Sequence, residues 1–381
     1  VPTLSDLPLR DDLRGKEPYG APQLAVDVAL NVNENSHPVP PAVVDAVRRA
    51  VDAQLSGLNR YPDREFTRLR ELLLTYVQEF SRRQSADGST PADFLTADWL
   101  WAANGSNEVL SHILQAFGGP GRTALGFVPS YSMHPLITQS TGARWIAVDR
   151  GEGFTLSAET AAAAVREHQP DVVFLCTPNN PTGGGLSAEV IEAVLAASTG
   201  IVIVDEAYAE FARPGYTTAV HLLRENPRLV VSRTMSKAFS FAGVRLGYAI
   251  AHPAVTDALR LVRLPYHLSA LTQAAACAAL EHTPVLLDNV DALITERDRM
   301  VTALSELGFD VAETDANFVL FGGVSDTRLL WQRLLDVGVL IRDIGIPGHL
   351  RVNAGTTDET TAFIEAISAI VAAHPETLEN L

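Results

Sequence analysis

What this chain lacks narrows its function before any motif is read. Its 381 residues contain two cysteines, Cys176 and Cys277. Neither stands in a C-x-x-C or other metal-ligand spacing, which excludes a disulfide framework and a thiolate metal centre. Each lies in an apolar stretch, so both are expected to be buried, unreactive thiols. Positive charge is scarce: 29 Lys and Arg against 45 Asp and Glu give a formal net charge of −16. No basic run offsets this balance, and nucleic acid is excluded as a partner. No uncharged apolar run approaches the length of a membrane span. The opening Val1-Pro-Thr-Leu-Ser-Asp-Leu-Pro-Leu-Arg10 has no apolar core of the kind a secretory leader needs, so the expected location is the cytoplasm. There is no internal repeat and no low-complexity segment.

What is present is an ordinary globular composition, 47% hydrophobic and 19% charged, in a chain long enough for two or three domains. Residues 1–40 are rich in Pro, Asn and Gly and read as an extended arm. Two helical patterns follow to about residue 83, split by Leu58-Asn-Arg-Tyr-Pro62; Leu69, Leu72, Leu73, Tyr76 and Phe80 mark the second. A loop runs from Ser85 to Pro91. Between about 99 and 250, short apolar runs alternate with helical stretches: 123–128, 145–148, 172–176, 201–204 and 229–231. Continuous apolar runs suit strands buried on both faces, and strand–helix alternation predicts a mostly parallel sheet covered by helices. Ligands bind such sheets at the carboxyl ends of strands. Beyond 270 the pattern is helical, then mixed. Thr283-Pro284 is read as an N-cap with proline at N1, Gly308 as a C′ stop, Phe318–Phe321 and Val339–Arg342 as strands, and Thr356-x-x-Glu359 as a capping box. The division expected is an arm (1–40) joining a small α+β domain (271–381), with a large domain over 41–270.

The chemistry centres on Ser232-Arg-Thr-Met-Ser-Lys-Ala-Phe-Ser-Phe-Ala-Gly-Val-Arg-Leu-Gly247. Lys237 stands among small hydroxyl residues, with Arg245 further along. An amine that forms an imine beside a bound phosphate needs this set, and pyridoxal phosphate is the cofactor that requires both. Asp205 ends an apolar run with Tyr208 three residues on; the carboxylate suits a protonated ring nitrogen and the phenol a ring hydroxyl. Asn180, in Asn180-Pro-Thr-Gly183, leaves the preceding strand and has an amide for the same hydroxyl. Gly105-Ser106-Asn107 turns into a helical pattern whose free N–H groups suit a phosphate. Tyr131, after the strand at 123–128, can stack on a flat ring. Each signal alone also fits a turn, a cap or a core aromatic.

In this order the set resembles the fold-type I pyridoxal-phosphate aminotransferases of class II, along essentially the whole chain. The resemblance implies an α/β fold with a large, mostly parallel sheet domain and a smaller α+β domain. It implies that Lys237 binds the cofactor covalently and shuttles the proton, and that Asp205 pairs with the ring nitrogen. Tyr208 and Asn180 would hold the ring hydroxyl, Tyr131 would stack on the ring, and Thr234, Ser236, Arg245 and the 105–107 turn would hold the phosphate. It also implies a homodimer in which Tyr61 reaches the partner's cofactor phosphate.

Pro18-Tyr19-Gly20, Leu30-Asn-Val-Asn-Glu-Asn35, Asn59-Arg-Tyr-Pro62, and Val339-Leu-Ile-Arg342 leading to His349-Leu-Arg351 carry a finer resemblance, to the histidinol-phosphate aminotransferases. Ser36 departs from that pattern, which has proline after Asn-Glu-Asn. The resemblance implies ping-pong transfer from L-histidinol phosphate to 2-oxoglutarate, giving imidazole acetol phosphate and L-glutamate. Tyr19 and Asn35 would line the substrate pocket from the arm. A planar guanidinium accepts phosphate and carboxylate in turn, so Arg351 is assigned the shared anion position and Arg342 further phosphate affinity. The competing readings are an aromatic amino-acid aminotransferase, a phosphothreonine-type decarboxylase, and a non-catalytic module that kept the fold.

Overall fold

The structure is a computed structural model that describes residues 3–18, 20–84 and 92–378. Tyr19 and the loop expected at 85–91 lie outside the described residues. Among its described residues the arm has one short strand, β1 (Val28–Ala29), and it leads into α1 (Pro41–Leu55) and α2 (Thr67–Gln84). The alternating region follows: β2 (Leu100–Ala103), α3 (Ser106–Phe117), β3 (Thr123–Val128), α4 (Met133–Ser140), β4 (Arg144–Asp149), α5 (Ala158–His168), β5 (Val172–Cys176), α6 (Ala188–Ala197), β6 (Ile201–Asp205), β7 (Leu229–Thr234) and β8 (Gly247–Ala251). Helices α7 (Pro253–Val262), α8 (Ala270–Leu280) and α9 (Thr283–Glu306) connect it to β9 (Asp310–Val311), β10 (Phe318–Gly322), α10 (Thr327–Asp336), β11 (Val339–Leu340), β12 (Arg342–Asp343), β13 (Leu350–Asn353) and α11 (Thr357–Ala373). No helix among the described residues is long and apolar enough to cross a membrane.

The large sheet runs β2-β8-β7-β6-β5-β3-β4. Its β3–β4, β3–β5, β5–β6 and β6–β7 ladders are parallel, and β8 runs against both neighbours. Strands β5 and β6 are buried along their whole length, as continuous apolar runs require. Strands β2 (Leu-Trp-Ala-Ala) and β8 (Gly-Tyr-Ala-Ile-Ala) are also buried along their whole length, but alanine and glycine interrupt their apolar side chains, so neither reads as a continuous run. A smaller antiparallel sheet, β12-β13-β10-β9, has its own apolar core around Phe321, Val352 and Phe363.

Some sequence expectations shift. The strand expected over Val339–Arg342 divides. Val339 and Leu340 pair with the arm's Val28 and Ala29, whereas Arg342 and Asp343 pair with β13. Between them, the Ile341 carbonyl accepts the Trp331 indole N–H at 2.9 Å, so the chain changes partner there. Thr283 is not an N-cap: α9 starts one residue earlier, after His282, and the Thr283 hydroxyl donates back to the Leu280 carbonyl. Gly308 follows α9 at φ 94°, and the Thr356–Glu359 capping box is formed. Cys176 is buried but Cys277 only half-buried; burial pushes their thiols up to about 12 and about 11.

Candidate active site

The carboxyl ends of β3, β5, β6 and β7 open on a cavity of about 390 Å³, closed from the other side by the arm and the small sheet. Asp205 is the last residue of β6 and is buried, in register with Cys176 and Ser232. Its Oδ2 lies 3.1 Å from His134 Nε2; its Oδ1 has no hydrogen-bond partner among the described residues. A carboxylate only accepts, so this His134 nitrogen carries a proton. Sequence reasoning missed His134. It sits one turn beyond Tyr131 at the start of α4, stacked on Phe174 at 4.5 Å, and a lone histidine in an apolar helix gives no signal of a site.

Tyr208 is buried edge-on to Phe318, and that burial pushes its phenol well up, against the opposing pull of Arg351. Two amides donate to its oxygen: Asn33 Nδ2 at 3.0 Å and Asn180 Nδ2 at 3.3 Å. Asn180 Oδ1 accepts from Arg351 Nη1 at 2.6 Å, and Arg351 Nη2 donates to the Asn31 carbonyl at 3.0 Å. Lys237 Nζ donates to the Val32 carbonyl at 3.1 Å. Burial first, then the Arg351 guanidinium, brings its pKa down to about 8, with Glu34 opposing and Arg245 adding. An amine near neutrality at working pH is a nucleophile and a base.

At the other end, Gly105 caps α3 at φ 85°, and a Cβ there would meet the Arg245 guanidinium at 2.6 Å. A Cβ on Gly247 would stand 2.1 Å from the Ser106 nitrogen, so only glycine lets β8 approach the start of α3. Arg245 Nη1 reaches Ser236 Oγ at 3.4 Å, and the Ser236 N–H donates to Thr234 Oγ1 at 3.1 Å. Helix N–H groups, hydroxyls and one guanidinium converge here in a donor set suited to a phosphate.

The cavity thus gathers Ser106, Asn107, Tyr131, Asn180, Asp205 and Tyr208, and also Thr234, Ser236, Lys237, Arg245, Arg342 and Arg351. Tyr131 presents its ring edge-to-face to His134, and its hydroxyl donates to Asn107 Oδ1 at 3.3 Å. Gly105 stands behind Arg245 without facing the cavity. Asn35 is not among the residues that line the cavity; its amide donates to the Ala238 carbonyl at 3.4 Å. Tyr61 is apart from this chain's own cavity: it is 79% exposed and stacked on Tyr266 at 4.3 Å. Asn31, Asn33 and the Val32 carbonyl were not anticipated, since only the folded arm brings them over Tyr208, Arg351 and Lys237.

The donor set fits pyridoxal 5′-phosphate. Asp205 Oδ1 is a buried acceptor without a partner among the described residues, suited to a charged ring nitrogen, and Ser106, Thr234, Ser236 and Arg245 line the end of the cavity suited to a phosphate.

Residues 26–367 match the family model for aminotransferases of class I and II. The chain is 57% identical over 371 residues to a histidinol-phosphate aminotransferase of Paenarthrobacter aurescens (strain TC1), covering 97% of this chain and 96% of that one. It is 55% identical over 365 residues to that of Thermobifida fusca (strain YX), covering 96% of each. In structure it is similar to the Sinorhizobium meliloti histidinol-phosphate aminotransferase solved in complex with pyridoxal 5′-phosphate. The TM-score is 0.80 at 23% identity, over 91% of this chain and 92% of that one.

Proposed function

The chain belongs to the class I and II aminotransferases, and from that premise we propose that it transfers the amino group of L-histidinol phosphate to 2-oxoglutarate. The products are imidazole acetol phosphate and L-glutamate, a step of histidine biosynthesis. The observation that carries the substrate is the pair of guanidiniums, Arg342 and Arg351, lining one cavity with Lys237 on a chain of net charge −16.

Pyridoxal 5′-phosphate, when bound, supplies an electron-withdrawing ring that takes up the electron pair left at the substrate carbon. The chain's residues do the rest. Ser106, Asn107, Thr234, Ser236 and Arg245, with the turn at Gly105, hold the phosphate, and Asp205 keeps the ring nitrogen charged. His134 fixes one Asp205 oxygen and leaves the other for the ring. Tyr208 and Asn180 hold the ring hydroxyl, and Tyr131 packs on the ring. Lys237 Nζ takes the proton from the substrate carbon as general base and returns one as general acid. Arg351, aimed by Asn180 Oδ1 and the Asn31 carbonyl, accepts the phosphate of one substrate and a carboxylate of the other in turn. Arg342 adds affinity for the phosphate, and Asn35 and Tyr19 line the substrate side.

The same reading makes the working unit a cytoplasmic homodimer in which Tyr61 serves the partner's cavity, as its exposed ring suits. Each protomer comprises a large domain over 41–270 and a small domain over 271–381 that the arm joins.

The test is a half-reaction without keto acid, followed by cofactor absorbance, with L-histidinol phosphate and L-phenylalanine added separately. Conversion at far lower concentration of histidinol phosphate is expected. Equal or better conversion by phenylalanine makes the protein a general aromatic aminotransferase and removes the phosphate roles of Arg342 and Arg351. Release of carbon dioxide from separately added L-phosphothreonine would instead make it a lyase.

A further inference from the structure

We propose that Asn33, carried by the arm, is a positioning residue that directs the hydroxyl proton of Tyr208 into the cavity, toward the hydroxyl of the bound cofactor ring. The proposal rests on Tyr208 being a ring partner, as read above.

The argument is a count of donors and acceptors. A phenol oxygen has one proton to give and two lone pairs. Arg351 only donates, so Asn180 must turn its Oδ1 to Arg351 and its Nδ2 to Tyr208. Asn33 Nδ2 supplies the second donor at 3.0 Å. With both lone pairs taken, the Tyr208 proton has only the cavity side left. The Asn33 backbone is held in place, while its Oδ1 has no hydrogen-bond partner among the described residues. Its backbone N–H donates to Asn353 Oδ1 at 3.2 Å, and its carbonyl accepts from Asn317 Nδ2 at 3.1 Å. Both partners stand at ends of small-sheet strands. Its backbone is left-handed, at φ 57°, where asparagine is tolerated and most residues are not. Turned the other way, Asn33 would offer Oδ1, take the Tyr208 proton and withdraw it from the ring. The titratable and charged neighbours acting on Tyr208 are Arg351, Tyr131 and Cys176, and none of them replaces this donor. One arm residue therefore bridges the small sheet, through Asn353 and Asn317, to the Tyr208 hydroxyl of the large domain.

The test uses holoenzyme variants. Asn33→Gly keeps the left-handed backbone and removes only the amide. Asn33→Asp keeps the shape and makes the side chain an acceptor. The readouts are the pH midpoint of the bound cofactor's absorbance and the cofactor Kd. A hydrogen bond donated to the ring oxygen favours the deprotonated, more negatively charged form of the bound cofactor, so losing it raises the midpoint. Asn33→Gly is expected to raise it by about 0.5 unit, and Asn33→Asp by about 1 unit, close to the effect of Tyr208→Phe. In a Tyr208→Phe background neither change should move it further, which a general loosening of the arm would not reproduce. The proposal is overturned if Tyr208→Phe shifts the midpoint while the Asn33 variants do not, or if their shifts persist without the phenol. If Tyr208→Phe itself leaves the midpoint unmoved, the reading of Tyr208 falls and this inference with it.

Discussion

Strands β6 and β7 end in two polar regions, one in front of the sheet and one behind, assembled from adjacent residues. Asp205 and Thr234 line the cavity; Glu206, just past the end of β6, and Arg233, the residue before Thr234 on β7, lie outside it, buried in a polar cluster. The cluster closes around Glu206, although Arg233 Nη1 has no hydrogen-bond partner among the described residues. Glu206 Oε1 accepts from the Ala219 N–H at 2.7 Å; its Oε2 accepts from Thr218 at 2.7 Å and from Arg233 Nη2 at 2.6 Å. Arg233 also lies over the Phe80 ring and 3.6 Å from Glu210, which accepts the Tyr76 hydroxyl. The front is left open: one oxygen of Asp205 is held and the other is not. An unpartnered polar atom on a residue that lines a cavity is open to a ligand, as Asp205 Oδ1 is; Arg233 Nη1 is unpartnered too, but Arg233 does not line that cavity. Equal burial thus carries opposite meanings at neighbouring positions.

Substitutions on the two sides should separate activity from stability. Lys237→Ala should cost the most on the front: turnover should fall at least about 10⁴-fold, with the apoenzyme's unfolding midpoint unchanged or raised. Wild-type turnover by this variant would end the assignment. Glu206→Gln should do the reverse. It removes the nearer of the two carboxylates that face buried Arg233, leaving Glu210 at 3.6 Å, and should cost about 3 kcal/mol in denaturant unfolding, while the protein that remains folded keeps its KM values. Asp205→Asn should lower kcat about 10²-fold, with unfolding free energy changed by less than about 0.5 kcal/mol. If Asp205→Asn destabilised as Glu206→Gln does, the contrast between front and back would be false. Arg351→Lys, which loses the planar fork held by Asn180 and Asn31, should raise KM for 2-oxoglutarate about tenfold and leave stability alone.

The same contrast explains what the sequence made legible. Asp205, Thr234, Lys237 and Asn180 each stand on or just past a buried apolar run, so finding the strand finds the residue. Glu206 and Arg233 stand beside them and gave no cue, because nothing in the order of residues says that Thr218 and Ala219 fold back to satisfy a carboxylate. The cover of the cavity was harder still. Asn33 meets Asn353 across 320 positions, and only the folded arm brings its amide to Tyr208. The break at Ile341 was hidden because a continuous β-forming run does not reveal that its two halves pair with different partners.

Lys237 and Arg233 carry the smallest and last test of this contrast. Burial alone disfavours charge on both. At Arg233, Glu206 and Glu210 outweigh that cost and the guanidinium is held above its ordinary value. At Lys237, Arg351 and Arg245 reinforce it against Glu34 alone, and the amine comes down to about 8. An unfolded lysine keeps its proton to about 10.4. Between those values the unfolded chain holds more protons than the folded one, so the unfolding free energy of the apoenzyme should rise with pH through that window. Lys237→Ala should lack this increment. The rate at which apoenzyme takes up pyridoxal 5′-phosphate should climb with pH and pass half-maximum near about 8, because only the neutral amine attacks. A half-maximum near the ordinary lysine value would mean that Glu34 or solvent neutralises the front cations, and that the two faces differ in satisfied hydrogen bonds but not in their field.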